Sequence, residues 1–161
     1  MGPLVFTDNL KFGVAVIDSQ HRRMVKIVNE LLGAVLDHPL AETEDLLLDE
    51  LVRLASLNFR TEEEWMRRCG YERYEVHAES HAHLLNELVE LRNGLFTRAE
   101  HLNRKVVIFV RRWLENHLIH SDRELADAIR LCIKSIKGLK GLKADANAKR
   151  RRGKRSVGTA P

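Results

Sequence analysis

The chain has 161 residues, of which 44% are hydrophobic and 31% are charged. This length suits one domain with a buried core and is short for two. Few prolines and glycines, with abundant Leu, Glu, Lys and Arg, predict a mostly helical protein. The longest unbroken apolar run, Val106–Val110, is far too short for a transmembrane segment.

The net charge of +4 suggests nucleic-acid binding at first, but it is confined to one end of the chain. Residues 137–161 contain nine Lys and Arg against the single Asp145, a net charge of +8, so the remaining 136 residues carry −4. We therefore predict an acidic domain over residues 1–136 and a polybasic, disordered tail over 137–161. The tail has no aromatic residues for base stacking, so we expect only nonspecific contacts with anionic partners.

The two cysteines and the first residues indicate where the protein works. Cys69 and Cys132 form no C-x-x-C pair, and two cysteines do not make a disulfide scaffold. The opening sequence MGPLVFTDN has neither the basic nor the apolar region of a signal peptide. These features predict a reduced, cytoplasmic protein.

Apolar residues recur with the 3.6-residue period of an α-helix along most of the acidic domain. The four predicted helices span about residues 17–36, 41–69, 74–97 and from His101 onward. Asp18 is a plausible N-cap for the first helix, His38-Pro39 would end it, and Gly70 suits the end of the second. Four such helices with short connections predict an all-α, antiparallel up-down four-helix bundle.

The fourth helix changes register after His117. Its next apolar stripe begins at Leu125 and extrapolates back to Asp122, five residues after His117. A five-residue step turns about 140° on an ideal helix, so these two side chains would not share a face of a regular helix. The step predicts a π-bulge, a feature that is frequent at functional sites.

Polar side chains interrupt the apolar stripes of all four helices. They are His21, Asn58, Glu62, His77, His81, His117 and Asp122. Burying one such group without a partner costs several kcal/mol, so seven of them need a shared partner, for which a metal is the simplest choice. His77 and His81 stand one turn apart and can reach one ion. Imidazole and carboxylate without thiolate favour iron, manganese or zinc, and a satisfied polar network is the alternative.

Four segments of the chain resemble hemerythrin motifs in the same order and at similar separations. They are GVAVIDSQHRRM (13–24), NFRTEEEWMRRCGY (58–71), HAESH (77–81) and WLENHLIHSD (113–122). The similarity covers about residues 6–133. Each segment alone is weak evidence, but together they identify the chain as a member of the hemerythrin family, of the bacterial single-domain type.

This resemblance implies a non-haem di-iron centre inside the bundle that reversibly binds dioxygen, as in a carrier, store or sensor. By position, His77, His81 and His117 would hold one iron, and His21 with residue 58 would hold the other. Glu62 and Asp122 would bridge the two irons. Trp113, Leu114 and Leu118 match the apolar lining that keeps the family's ligand pocket dry.

Asn58 departs from the family, which has His at this position. A neutral amide oxygen is a harder and weaker donor than imidazole, so this iron would have open coordination positions. The site could bind dioxygen with altered affinity, act as a redox enzyme on peroxide, nitric oxide or a similar small oxidant, or hold a single metal. A metal-poor interaction module with a polybasic arm is a third class of function. The sequence leaves open whether the protein is an enzyme, and its oligomeric state.

Overall fold

A computed structural model describes the backbone of residues 2–37, 41–98 and 104–155. Side chains are described over residues 2–34, 45–94 and 106–138, apart from Asn9. His38, Pro39 and His101, which were assigned to helix ends or connections, lie outside the described residues.

The described chain is all-helical, as the sequence predicts. After a short 3₁₀ turn at Asp8–Leu10, the helices are α1 (Ala15–Asp37), α2 (Ala41–Cys69), α3 (Tyr74–Arg98), α4 (Arg104–Asn116) and α5 (Asp122–Arg155), with a π-helix (His117–Ser121) joining α4 to α5. Because α4, the π-helix and α5 follow one another without a break, they form the fourth helix of a four-helix bundle. The predicted fold class is confirmed, and the bounds of α2 match the prediction.

Two apolar clusters fill the bundle, one on each side of the polar positions. The larger cluster includes Leu31, Leu51 and Leu88, and the smaller includes Ile17 and Ile129. Along each of α1, α2 and the fourth helix, the chain passes from one cluster to the other across a polar residue: His21 lies between Ile17 and Met24, Glu62 between Phe59 and Met66, and Asp122 between Leu118 and Leu125. The polar residues therefore form a layer enclosed by apolar packing.

The π-helix confirms the register change that the sequence predicts. The backbone N–H of Asp122 donates to the carbonyl of His117, five residues back, and this is the hydrogen-bond pattern of a π-helix. The extra residue lets His117 and Asp122 both point into the bundle, where each is buried. A regular α-helix would turn one of them away.

Asp18 does not have the N-cap position that we predicted. α1 begins at Ala15, and the Asp18 carboxylate in its first turn accepts hydrogen bonds from the backbone N–H groups of Phe12 (2.6 Å) and Gly13 (3.2 Å). Gly13 has a φ of 82°, a conformation that favours glycine. Asp18 therefore fixes the preceding loop and seats Phe12 edge-on against His21, with ring centroids 5.4 Å apart.

The cysteines form a disulfide, which corrects the prediction of a reduced protein. Cys69 at the end of α2 and Cys132 in α5 have Cα atoms 5.7 Å apart and are bonded across 63 residues of sequence. Their pairing depends on how two helices pack, and sequence spacing does not reveal it. Because disulfides are rare in the cytosol, the cysteines no longer support a cytoplasmic location, which stays a prediction.

The basic C-terminal segment partly continues the last helix. The backbone is helical through Arg155, whereas the sequence pattern predicts a disordered tail from residue 137. The side chains of residues 139–155 and all of residues 156–161 lie outside the described part, so a separate polybasic tail stays a prediction. Within the described residues, every helix is too short or too polar to cross a membrane.

Candidate metal centre

The structure brings the polar residues of the helical stripes together in one buried layer. His21 comes from α1, Asn58 and Glu62 from α2, His77 and His81 from α3, His117 from the π-helix and Asp122 from the start of α5. All seven side chains are buried, and six of them have nitrogen–oxygen contacts within the group. Asn58 is in the same layer but contacts Gln20 instead.

Glu62 lies between two groups of histidines. Its Oε1 is 3.0 Å from Nε2 of His21, while its Oε2 is 3.3 Å from Nε2 of His81 and 3.9 Å from Nε2 of His77. The two oxygens of one carboxylate thus face imidazoles from α1 on one side and from α3 on the other. This is the arrangement that a carboxylate bridging two cations requires.

Asp122, at the start of α5, also lies among histidines from several helices. Its Oδ1 is 3.6 Å from Nε2 of His77, and its Oδ2 is 3.3 Å from Nε2 of His117 and 3.7 Å from Nε2 of His21. Single donor atoms of Glu62, His77, His81 and Asp122 all lie within 4.8 Å of one another. One cation can therefore contact donors of all four residues.

The surroundings of the cluster shift the pKa values of its two carboxylates in opposite directions. Burial raises the pKa of Glu62, but the nearby imidazoles of His21, His77 and His81 outweigh it and hold the pKa well below its ordinary value. Burial and the nearby negative charge of Glu62 raise the pKa of Asp122 well above its ordinary value. The two pKa values are thus shifted in opposite directions, and a bound cation would favour the ionised form of both carboxylates.

Buried polar atoms without partners test whether a cation fits here. Among the described residues, eight such atoms belong to the six clustered side chains: Nδ1 of His21, Oε2 of Glu62, Nε2 of His77, Nε2 of His81, both ring nitrogens of His117 and both oxygens of Asp122. Native proteins rarely leave buried polar atoms unsatisfied. A bound metal would supply an interaction for the Nε2 atoms and the carboxylate oxygens, although not for Nδ1 of His21 and His117. Nitrogen and carboxylate donors suit iron, manganese or zinc.

The surroundings of the cluster are apolar and close-packed. Trp113, Leu114 and Leu118, the predicted lining residues, are all buried in the larger apolar cluster. The Trp113 indole N–H donates to the carbonyl of Leu84 at 3.1 Å, which fixes the ring, and its centroid lies 6.3 Å from that of His117. The structure supports an environment that excludes water around His117.

Three neighbours of the cluster were missed or misread in the sequence. Glu63 has its Oε1 3.3 Å from Nδ1 of His81, and Phe59 stacks on the His81 ring with centroids 4.1 Å apart. Gln20 contacts Asn58. Metal-binding histidines usually donate their second N–H to a carboxylate, carbonyl or water. The acidic side chain of Glu63, next to Glu62 in the sequence, was therefore a signal that could have been used. Gln20 belongs to the segment 13–24 that resembles the family, but its contact with Asn58 could not be read from the sequence.

His120 does not join the cluster. It is exposed, and it lines a surface cavity of about 290 Å³ that also reaches His77, Ser80 and Ser121. His83 is also exposed and lies beside Glu87.

Comparison with known proteins identifies the family. Residues 13–129 match the family model described as the hemerythrin HHE cation-binding domain. The chain belongs to the hemerythrin family. It is 32% identical over 130 residues to bacteriohemerythrins of Stenotrophomonas maltophilia (strain R551-3) and Pseudomonas aeruginosa (strain UCBPP-PA14), covering 81% of this chain and 84% of each relative.

A solved structure is consistent with this family assignment at the level of the fold. A crystal structure of wild-type hemerythrin superposes with a TM-score of 0.71 at 23% identity, covering 80% of this chain and 98% of that one. The chain is therefore a hemerythrin-family cation-binding protein, and it contains a buried cluster of His, Glu and Asp.

Proposed function

We propose that this chain holds a non-haem di-iron centre that reversibly binds dioxygen, in the role of a carrier, store or sensor. The observation that carries the proposal is the placement of the two carboxylates. Glu62 and Asp122 each face His21 with one oxygen and a histidine of α3 with the other. A site for a single cation does not need two carboxylates that each face opposite groups of histidines.

The proposed ligands fall into two sets. His77, His81 and His117 would hold one iron, and His21 and Asn58 would hold the other, with Glu62 and Asp122 shared between them. The first set is rich in imidazole. The second has one imidazole and one amide and leaves coordination positions for an external ligand, so we place dioxygen there.

When bound, a pair of ferrous ions supplies the two electrons that reversible dioxygen binding requires. The protein holds the two cations close together and keeps water away. Trp113, Leu114 and Leu118 are buried in the larger apolar cluster, and Trp113, which lies beside His117, offers no free polar atom because its N–H is already paired with Leu84. Excluding water disfavours loss of the bound ligand through protonation and exchange.

The test is iron content together with the optical spectrum of anaerobically reconstituted protein. We expect two irons per chain, and a visible absorption band that forms in air and disappears when oxygen is removed. Irreversible oxidation without such a band would overturn the dioxygen-binding role. A metal content well below one iron per chain, with folding unaffected by a chelator, would favour the interaction module instead.

A second candidate function rests on Asn58. Because the amide replaces the family's imidazole, open coordination at the second iron favours a redox enzyme that acts on hydrogen peroxide, nitric oxide or a similar small oxidant. Steady-state turnover of such an oxidant that falls in Asn58→His would support the enzyme. An absence of turnover with each of them, in protein carrying both irons, would eliminate it.

A further inference from the structure

A chain of hydrogen bonds connects α1 with α2 and ends at Asn58. The Asn58 Nδ2 donates to Oε1 of Gln20 at 3.3 Å, and the Gln20 Nε2 donates to Oγ1 of Thr61 at 3.2 Å. The Thr61 hydroxyl donates in turn to the backbone carbonyl of Leu57 at 2.8 Å. Gln20 and Asn58 are buried, so these amides have no solvent with which to exchange partners.

These hydrogen bonds all run in one direction, from Asn58 to Leu57, and the bond from Thr61 to Leu57 sets that direction. A carbonyl oxygen only accepts, so while the hydroxyl proton of Thr61 is donated to Leu57, as in this structure, Thr61 can only accept from Gln20. Gln20 must therefore turn its NH₂ group to Thr61 and its oxygen to Asn58. Asn58 then has to turn its own NH₂ group to Gln20.

The consequence is a fixed orientation for the Asn58 oxygen. Its Oδ1 is buried and has no hydrogen-bond partner among the described residues. Asn58 is one helical turn before Glu62 on α2, and Gln20 directly precedes His21 on α1. The unpaired oxygen is thus in the same layer as the carboxylate and imidazole that face each other at 3.0 Å.

We propose that Gln20, held by Thr61, is the positioning residue that presents the Asn58 carboxamide oxygen, and not its NH₂ group, as a ligand to the cation beside His21. The inference rests on the proposed two-cation centre. An amide NH₂ group has only hydrogens to offer, so a reversed amide would repel the cation. Residue 58 serves as a ligand only while the hydrogen-bond chain holds its direction.

The test is an anaerobic titration with Fe²⁺ that resolves the first and second equivalents, on the full chain and on variants of Gln20 and Thr61. Gln20→Leu removes both hydrogen bonds, and Thr61→Val keeps the side-chain shape but releases Gln20. We expect Gln20→Leu to weaken the second equivalent about 10- to 100-fold, the usual effect of losing a residue that orients a ligand. Thr61→Val should weaken binding of the second Fe²⁺ less than Gln20→Leu does, and Thr61→Ser should bind it as the wild type does. Binding of the first Fe²⁺ should not change in any of these variants.

Two controls separate orientation from a general structural effect. In an Asn58→Leu background, Gln20→Leu should cause no further loss of the second equivalent, because Gln20 acts only through Asn58. In the metal-free wild type, NMR should show the Asn58 side-chain NH₂ protons next to Gln20 and slow to exchange. NH₂ protons of Asn58 that point away from Gln20 would overturn the inference whatever the metal content.

The outcomes distinguish this inference from the proposed function. If the wild type binds two Fe²⁺ and both Gln20→Leu and Thr61→Val bind the second as tightly, the inference alone is wrong. If the wild type binds only one Fe²⁺, the proposed di-iron centre and the inference are both wrong.

Discussion

The two halves of the metal centre are built in different ways. The half around His77, His81 and His117 uses three imidazoles on α3 and the fourth helix, supported by Glu63 and by the stacked Phe59 ring. The half around His21 has one imidazole, and its other proposed donor is the amide of Asn58, which contacts Gln20. In the proposed centre, the first half depends on three imidazoles and the second depends on a directed series of hydrogen bonds.

In the proposed centre, the replaced ligand at position 58 keeps its role because its neighbours orient the amide. Glu62 and Asp122 serve both halves, because each faces histidines on both sides. We expect a change to Glu62, Asp122 or the helices that carry them to weaken both halves. A change to one of the two ligand sets should weaken only the half to which that set belongs.

The largest expected effect belongs to the disulfide, which ties together the helices that carry Glu62 and Asp122. The bond closes a loop of 63 residues, for which loop-closure entropy predicts about 4 kcal/mol of stabilisation. Denaturant unfolding of metal-free protein should show this loss for Cys69→Ser, or for the wild type with reductant. Cys69→Ser should not respond further to reductant, and a wild type as stable reduced as oxidised would refute the prediction.

Removing an imidazole should disable the first half. His77→Ala takes away a donor that faces both carboxylates, so we expect loss of the first cation. At an ion concentration a hundred times the dissociation constant, the stabilisation by binding is about 3 kcal/mol, and thermal melting with metal should lose about this amount. His83→Ala is the matched control, since His83 is exposed on the same helix. Equal metal content in both variants would contradict the assignment.

Acid should destabilise the metal-free protein through His117. Burial lowers the pKa of His117 to about 3 from 6.5, so between these values the unfolded chain binds a proton that the folded chain does not. The free energy of unfolding should therefore fall as pH drops from about 6.5 to 3, by up to about 1.4 kcal/mol per pH unit. Compared with the wild type, His117→Gln should lose less stability in this range. Parallel pH profiles for the two proteins would rule out a neutral buried His117.

The smallest expected effect concerns the support of His81. Glu63→Gln weakens the contact that orients this imidazole, and we expect the first cation to bind a few-fold less tightly, below the roughly tenfold loss that marks a strong orienting partner. Glu64→Gln is the control, because Glu64 is exposed beside Arg68. Calorimetry should show no change for the control, and identical affinities in the two variants would remove Glu63 from the site.

The sequence was sufficient for the features that periodicity and spacing encode. Apolar stripes predicted the bundle, and the five-residue step from His117 to Asp122 predicted the π-helix because helical geometry fixes how far each residue turns. The polar interruptions of those stripes predicted which side chains meet.

What the sequence could not supply depends on contacts between helices. The Cys69–Cys132 bond and the Gln20–Asn58 contact join α2 to α5 and α1, and nothing local in either segment marks its partner. Asp18 was misread because a carboxylate near a helix start can cap the helix or reach back into the loop, and only the path of Phe12 and Gly13 decides between them.

The most direct test of the central claim is Mössbauer spectroscopy of the protein reconstituted with ⁵⁷Fe, with total iron measured on the same sample. The account predicts two irons per chain in two distinct environments of equal area, one dominated by imidazole and one by oxygen donors. A single environment, with one iron per chain, would contradict it.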